Sequence, residues 1–193
     1  MDGKKDMIIG GVDPAFESDF FTIALIERQE GTPKSRLIHL DAWHRNDWIV
    51  IKDELVKKRD KFKVFKWFVD MTRDTALVTE MKHSHLRTEG IIFSAMNKHM
   101  MVSQLARAIA LGEFVIPHPE STKFNLQTSP KQKRLLEDFN IQAKHQQAKR
   151  DSANPKYAHP EGEHDDLFWA VAIAYSGMQT LPNYPLSHAF IRP

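Results

Sequence analysis

The 193-residue sequence contains no cysteine. A disulfide scaffold, a thiolate zinc site and a cysteine nucleophile are thereby excluded, and any bound metal must rest on oxygen or imidazole ligands. No apolar run approaches the roughly 20 residues that span a bilayer. The start, Met1 to Asp6, is polar and lacks the apolar core of a secretion signal, so the cytosol is the expected setting. The pattern GxxxxGK[ST] is absent, which removes the recognisable signature of an ATP-hydrolysing motor. Repeats and low-complexity tracts are missing too. Net charge is nearly lacking: 27 Lys and Arg against 25 Asp and Glu leave +2. A polyanion site must therefore be a local patch rather than a whole-molecule field.

What is present is a folded composition, with 41% hydrophobic and 27% charged residues. The length suits one domain over residues 1–193, with a core at about 7–177 and an irregular proline-containing tail from 178 to 193. Met7 to Asp13 is a short apolar run ending in a carboxylate. Phe20 to Glu27 and Arg36 to Trp43 are expected as two further strands, separated by the turn Gly31-Thr32-Pro33-Lys34. Asp47 to Lys61 carries Ile49, Ile51, Leu55 and Val56 at helical spacing. Val64 to Asp70 is again an apolar run ending in aspartate. A helix over Thr75 to Lys82, a strand at Ile91 to Phe93 and a helix from Asn97 to Leu111 stopped by Gly112 follow. Phe114 to Pro117 reads as a strand, and Ser129-Pro130 opens a helix to about Phe139. The polar, basic stretch 140–157 is expected as a hairpin or mobile loop. Asp165 to Ser176 is an apolar helix, buried on most sides. Three antiparallel strands followed by strands alternating with helices predict an α/β fold: a central mixed sheet with helices on both faces.

The chemistry lies in the carboxylates. Asp13 and Asp70 each end an apolar strand, and ligands gather at the carboxyl ends of strands in α/β sheets. Either one alone is better explained as a turn or cap residue. Asp165 and Asp166 precede the apolar helix, where one aspartate is accounted for as an N-cap. Two adjacent ones are not, because neighbouring carboxylates repel unless a cation or hydrogen bonds offset them. Hard divalent cations take such oxygen ligands together with substrate phosphate and water. Two of them roughly 3.5–4 Å apart suit an in-line phosphoryl displacement.

Gly11-Val12-Asp13-Pro14 with Asp19 six positions on, Val69-Asp70, and His164-Asp165-Asp166 followed by Ala170 and Ala174 resemble the nuclease domain of phage terminase large subunits. Gly112 to Pro117 resembles that family's middle section, and the match runs in order from about Ile8 to Ser176. The resemblance implies a ribonuclease H-like fold, related to Holliday-junction resolvases. It further implies endonucleolytic cutting of double-stranded DNA with little sequence preference, using two Mg2+ or Mn2+ ions. Asp13, Asp70 and Asp165 would be metal ligands, Asp166 a further ligand or a supporting group, and Asp19 an auxiliary carboxylate. An ATPase motor domain, a small terminase subunit and a portal protein would be partners, within the host cytoplasm. Two departures stand out: Phe16-Glu17-Ser18 replaces the glycines usual after Asp13-Pro14, and the ATPase domain that normally precedes the nuclease is not in this sequence. The alternatives are a structure-selective resolvase of the same fold, or a DNA-binding assembly module that no longer cuts.

Lys131, Lys133 and Arg134, with Lys144, Lys149, Arg150 and Lys156, make the most basic region, suited to a DNA backbone or equally to a solvated face. His164 is placed to orient a neighbouring carboxylate or approach a phosphate. His83, His85 and His159 show no two-histidine metal spacing, and Lys82 and His85 are expected at the surface. Trp43, Trp48, Trp67 and Trp169 read as core, and Met96, Met100 and Met101 as helix packing.

Overall fold

A computed structural model describes residues 6–14, 20–29, 32, 34–44, 48–73, 75–118, 129–149, 156–158 and 164–181. The first strand, β1 (Met7–Asp13), is flanked on both edges, and its centre is buried on both faces. That is why the sequence Met-Ile-Ile-Gly-Gly-Val is apolar throughout rather than alternating. β2 (Phe20–Arg28) and β3 (Ser35–His44) continue from it as an antiparallel meander. Helix α1 (Trp48–Phe62) then crosses to β4 (Lys66–Asp70), which pairs parallel to β1. After α2 (Thr75–His83), β5 (Thr88–Ile91) pairs parallel to β4. Helix α3 (Ala95–Ala110) leads to the short β6 (Phe114–Val115), parallel to β3. The six-stranded sheet has the order β5-β4-β1-β2-β3-β6. Helix α4 (Pro130–His145), the small hairpin of β7 (Gln147–Lys149) and β8 (Lys156–Ala158), and α5 (Asp166–Gln179) complete the described chain. The expected mixed sheet, antiparallel first and parallel afterwards, is the one observed.

The sheet separates two apolar layers, which puts helices on both faces. Val12, Ile23, Leu25, Trp67 and Val69 point to α1 and α2, where they meet Ile51, Leu55, Leu77 and Met81. Ile9, Ala24, Ile26 and Phe68 point to α3, α4 and α5, where they meet Leu105, Phe139 and the α5 run from Leu167 to Met178. Helix α5 is buried nearly all round, as its apolar sequence requires.

Some boundaries differ from those expected. β5 lies at Thr88–Ile91, ahead of Ile91 to Phe93, because it extends alongside β4 from Trp67–Thr88 to Asp70–Ile91. Helix α3 begins early because the Ser94 hydroxyl caps it, accepting from the Asn97 amide at 3.1 Å. Helix α4 runs on to His145 instead of stopping near Phe139. Leu136, Phe139 and Ala143 continue one apolar stripe against the core, which outweighs the polar residues between them. Only the later part of 140–157 is therefore hairpin.

How closely α5 seats on β1 is set by side chains that are missing. A Cβ on Gly11 would lie 2.1 Å from the Ala170 carbonyl oxygen and 2.6 Å from the Ala174 amide nitrogen. Both obstacles are backbone, so no rotamer change relieves them. On the other face, a Cβ on Gly10 would strike the Trp67 ring, and at the far end of α5 one on Gly177 would strike Phe68.

At the other side of the sheet, β3 is tied to two helices through Asp41, whose carboxylate is buried (4% exposed). Lys131 of α4 donates to one oxygen, while Lys58 of α1 (2.8 Å) and His39 (3.1 Å) reach the other. The Gln132 amide nitrogen donates to the Leu40 carbonyl at 2.5 Å, and its oxygen accepts from the Leu40 amide at 3.2 Å. Burial pushes the Asp41 carboxyl upward, but its hydrogen bonds to His39, Lys131 and Lys58 outweigh that and hold it well below the usual carboxylate range. Burial likewise lowers His39 from its ordinary 6.5.

Two outcomes are expected. Gly11→Ala should lower stability by about 1–3 kcal/mol, and by more if α5 must lift, measured by chemical denaturation. Asp41→Ala should cost about 2–4 kcal/mol at neutral pH, less than a fully enclosed pair because Lys131 is half exposed. A depressed carboxyl contributes stability above its unfolded value of about 3.9 and loses it below. The gap between Asp41→Ala and wild type should therefore narrow as urea titrations are moved from neutral to acid pH.

Candidate active site

Asp13 and Asp70 end neighbouring parallel strands, one step beyond the Val12–Val69 pair. Strand alternation puts Asp13 on the face of Gly11, and Asp70 on the face of Phe68. Both faces look toward α5. The close approach at Gly11 brings the first turn of α5, with Asp165 and Asp166, to the same end of the sheet.

Asp70, Asp165 and Asp166 are each oriented by protein donors. Oδ1 of Asp70 accepts from the Thr72 amide at 2.8 Å and from the Thr72 hydroxyl at 2.5 Å. The same hydroxyl oxygen accepts from the Phe93 amide at 2.7 Å, joining the end of β4 to the segment before α3. Asp165 occupies the N-cap position of α5, yet its side chain makes no cap hydrogen bond. Its Oδ2 accepts instead from Trp169 Nε1 at 2.7 Å and from Gln146 Nε2 at 3.2 Å. The capping task passes to Gln142 of α4, whose Oε1 accepts from the Phe168 amide at 3.0 Å. The N-cap account of Asp165 thus fails here for a definite reason. Asp166 is the first helical residue; its Oδ2 accepts from the Phe20 amide at 3.4 Å, and its carbonyl accepts from the Thr22 hydroxyl at 2.9 Å.

Charge concentrates on Asp13. Burial raises its carboxyl well above the ordinary 3.8, and the nearby charges of Asp166, Asp70 and Asp165 raise it further, while Lys98 acts in the opposite sense. The other three aspartates expected from the sequence are therefore near enough to Asp13 to act on it electrostatically. Among the described residues, however, no three histidine, aspartate or glutamate side chains stand close enough to chelate one ion as placed. The hydrogen bonds to Thr72, Trp169, Gln146 and Phe20 explain the difference, since they turn carboxylate oxygens toward the protein.

His164 is exposed, with Nδ1 3.8 Å from Asp166 Oδ2 and its ring edge-on to Phe20 at 5.4 Å. Beside it opens a cavity of about 410 Å³, lined by Phe20, Thr22, His164, Asp166 and, from α4, Leu135, Asp138 and Gln142. Asp19 and Arg150 lie outside the described residues, as does the side chain of Lys149. Lys133, Arg134 and Lys144 are exposed on α4. Lys131 is committed to Asp41 and lies 5.6 Å from the centre of the Trp43 ring. It holds the fold at the β3 edge rather than extending a free basic track.

Sequence reasoning missed Thr72, Gln142, Gln146 and Lys98, and placed Trp169 in the core without its polar role. Only two had a local signal: Thr72 stands two residues after Asp70, and Trp169 four after Asp165, one helical turn along.

No protein-family model matches the sequence, and no curated protein matches it by sequence. Solved structures do match by fold. The large terminase nuclease from thermophilic phage G20c is 17% identical with a TM-score of 0.69, over 89% of this chain and 82% of that one. The large terminase nuclease domain of Thermus phage P74-26 gives 16% and 0.65, over 89% and 79%. The g2p large terminase nuclease domain of bacteriophage SPP1, with bound Mn, gives 13% and 0.60, over 90% and 87%. The fold is that of a phage large terminase nuclease domain. At these identities the likeness is one of architecture. The G20c nuclease has also been solved with bound magnesium.

Since the Asp13 carboxyl is raised in the folded state, its charge opposes folding increasingly as pH climbs above the ordinary value. In metal-free, mildly alkaline buffer Asp13→Asn should raise the melting temperature by at least about 2 °C, the shift that roughly 1 kcal/mol produces in a chain of this size. An unchanged or lower melting temperature would show that the carboxylates do not repel one another at this site.

Proposed function

We propose that this chain is a metal-dependent endonuclease that cuts double-stranded DNA with little sequence preference, as in viral genome packaging. Asp13, Asp70, Asp165 and Asp166 would hold two divalent cations, Mg2+ or Mn2+. The observation that carries this reading is the gathering of three further carboxylates around half-buried Asp13, at an electrostatic cost that ordinary protein architecture avoids.

The residues suit the ions. All four donors are hard carboxylate oxygens, the type magnesium and manganese prefer, and a cysteine-free chain offers no thiolate for softer metals. Asp165 is steadied by Trp169 and Gln146, and Asp70 by Thr72, which is the outer support that fixes ligand orientation in metal sites. Divalent cations bound there would supply an activated water and neutralise charge on the phosphate. Asp13 and Asp70 project from rigid strand ends and Asp165 and Asp166 from a buried helix, so the chain would position substrate with little cost of ordering. The exposed cations Lys133, Arg134 and Lys144 of α4 would contact the DNA backbone without reading bases. A packaging motor and a small terminase subunit would be the partners that deliver the DNA. The bound magnesium and manganese of the G20c and SPP1 nucleases support the choice of cation.

Plasmid DNA with Mn2+ tests the reading. Wild type should nick and linearise it, and Asp70→Asn should be slower by about 100-fold or more, since loss of a mere outer partner of a metal ligand already costs roughly 10- to 100-fold. Equal cutting by both proteins would sink the assignment. Preference for four-way junctions over duplex would redirect it to a resolvase, and salt-sensitive binding without cutting to a DNA-binding module.

A further inference from the structure

Lys98, on the second turn of α3, stands out for how its charge is held. Its Nζ lies 4.9 Å from the centre of the Phe93 ring and 4.7 Å from that of Trp169, and the two rings meet at 5.1 Å. Both rings are tied to the acidic cluster: Trp169 donates to Asp165, and the Phe93 amide donates to the Thr72 hydroxyl, which itself donates to Asp70. The ammonium is thus fixed relative to both acids and acts electrostatically on Asp13. Yet among the described residues no carboxylate stands within ion-pair distance of it. Aromatic faces hold a cation in place without neutralising it. A lysine so fixed keeps its full charge and its hydrogen-bond donors for an anion that arrives from outside.

We propose that Lys98 touches the phosphate of the strand being cut, donating to one of its non-bridging oxygens from the β5–α3 side of the site. The inference rests on the endonuclease reading and names the residue that would meet the substrate there. Negative charge gathers on the phosphoryl oxygens as the bond to the departing oxygen breaks, and a preorganised cation in a partly desolvated setting is strongest at that moment. The Lys98 stem also covers Trp169, so a purely structural role is the rival, and the experiment separates the two.

Lys98→Met keeps the length and apolar stem and removes the charge; Lys98→Arg keeps the charge; Lys98→Gln serves as a second neutral variant should Met misfold. Binding to a short DNA duplex is measured with Ca2+ across a salt series, and Mn2+-dependent cutting is measured at saturating DNA. Both neutral variants should show a log Kd against log salt slope shallower by about 1, the loss of one phosphate contact. Their kcat should fall about 100- to 1,000-fold, the range seen when one donor to a developing charge is removed. Lys98→Arg should restore the slope and part of the rate. A neutral variant with the wild-type slope overturns the proposal whether or not its rate falls, since a slower rate alone means that Lys98 only braces Trp169. If wild type itself does not cut but the slope still changes, the endonuclease reading fails while the phosphate contact stands.

Discussion

Contact between α5 and β1 at atomic closeness is the constraint on which the rest depends. Gly11 has no side chain, and Ala170 and Ala174 have almost none, so backbone meets backbone where a Cβ would collide. Dispersion forces between such surfaces are individually small but numerous, and the fully buried α5 maximises them. The helix could not be shifted along the strand without opening a void or a clash. Its first turn is therefore fixed beside the ends of β1 and β4, and with it the distance between the strand-borne and helix-borne acids.

Burying acids has an electrostatic cost that the protein meets in two different ways. Around Asp41 it encloses one carboxylate with Lys58, Lys131 and His39, and the result is a stable tie between three elements. Around Asp13 it collects carboxylates that outweigh the opposing charge of Lys98, and the result is a group pushed toward its neutral form. The same residue type is thus a fastening in one place and a group that disfavours its own charge in the other. Geometry of the partners, not chemistry of the side chain, makes the difference.

Much of this was legible in the sequence. Apolar runs ending at Asp13 and Asp70 were visible because a strand buried on both faces must be apolar throughout. The α5 helix was visible because it is apolar on all sides. What stayed hidden depends on contacts distant along the chain. Helix α4 ran past its expected end because Ala143 packs on a core that local propensity does not report. Gln142 as the cap of α5 lies 26 residues from the amide it serves. Lys98 carried no signal in the sequence, since the aromatic pair that holds it is completed only by distant Trp169. Lys131 looked like part of a basic track until Asp41, 90 residues away, claimed it.

Gln146 occupies three roles at once. It is the C-cap position of α4, it directly precedes β7, and its side chain donates to Asp165. The hairpin and the acid therefore share a single joint. A hairpin gripped or twisted by something outside the domain has a lever arm of one residue between itself and the carboxylate. Ribbon and carboxylate are thus joined mechanically through one amide, so the placement of either constrains the other.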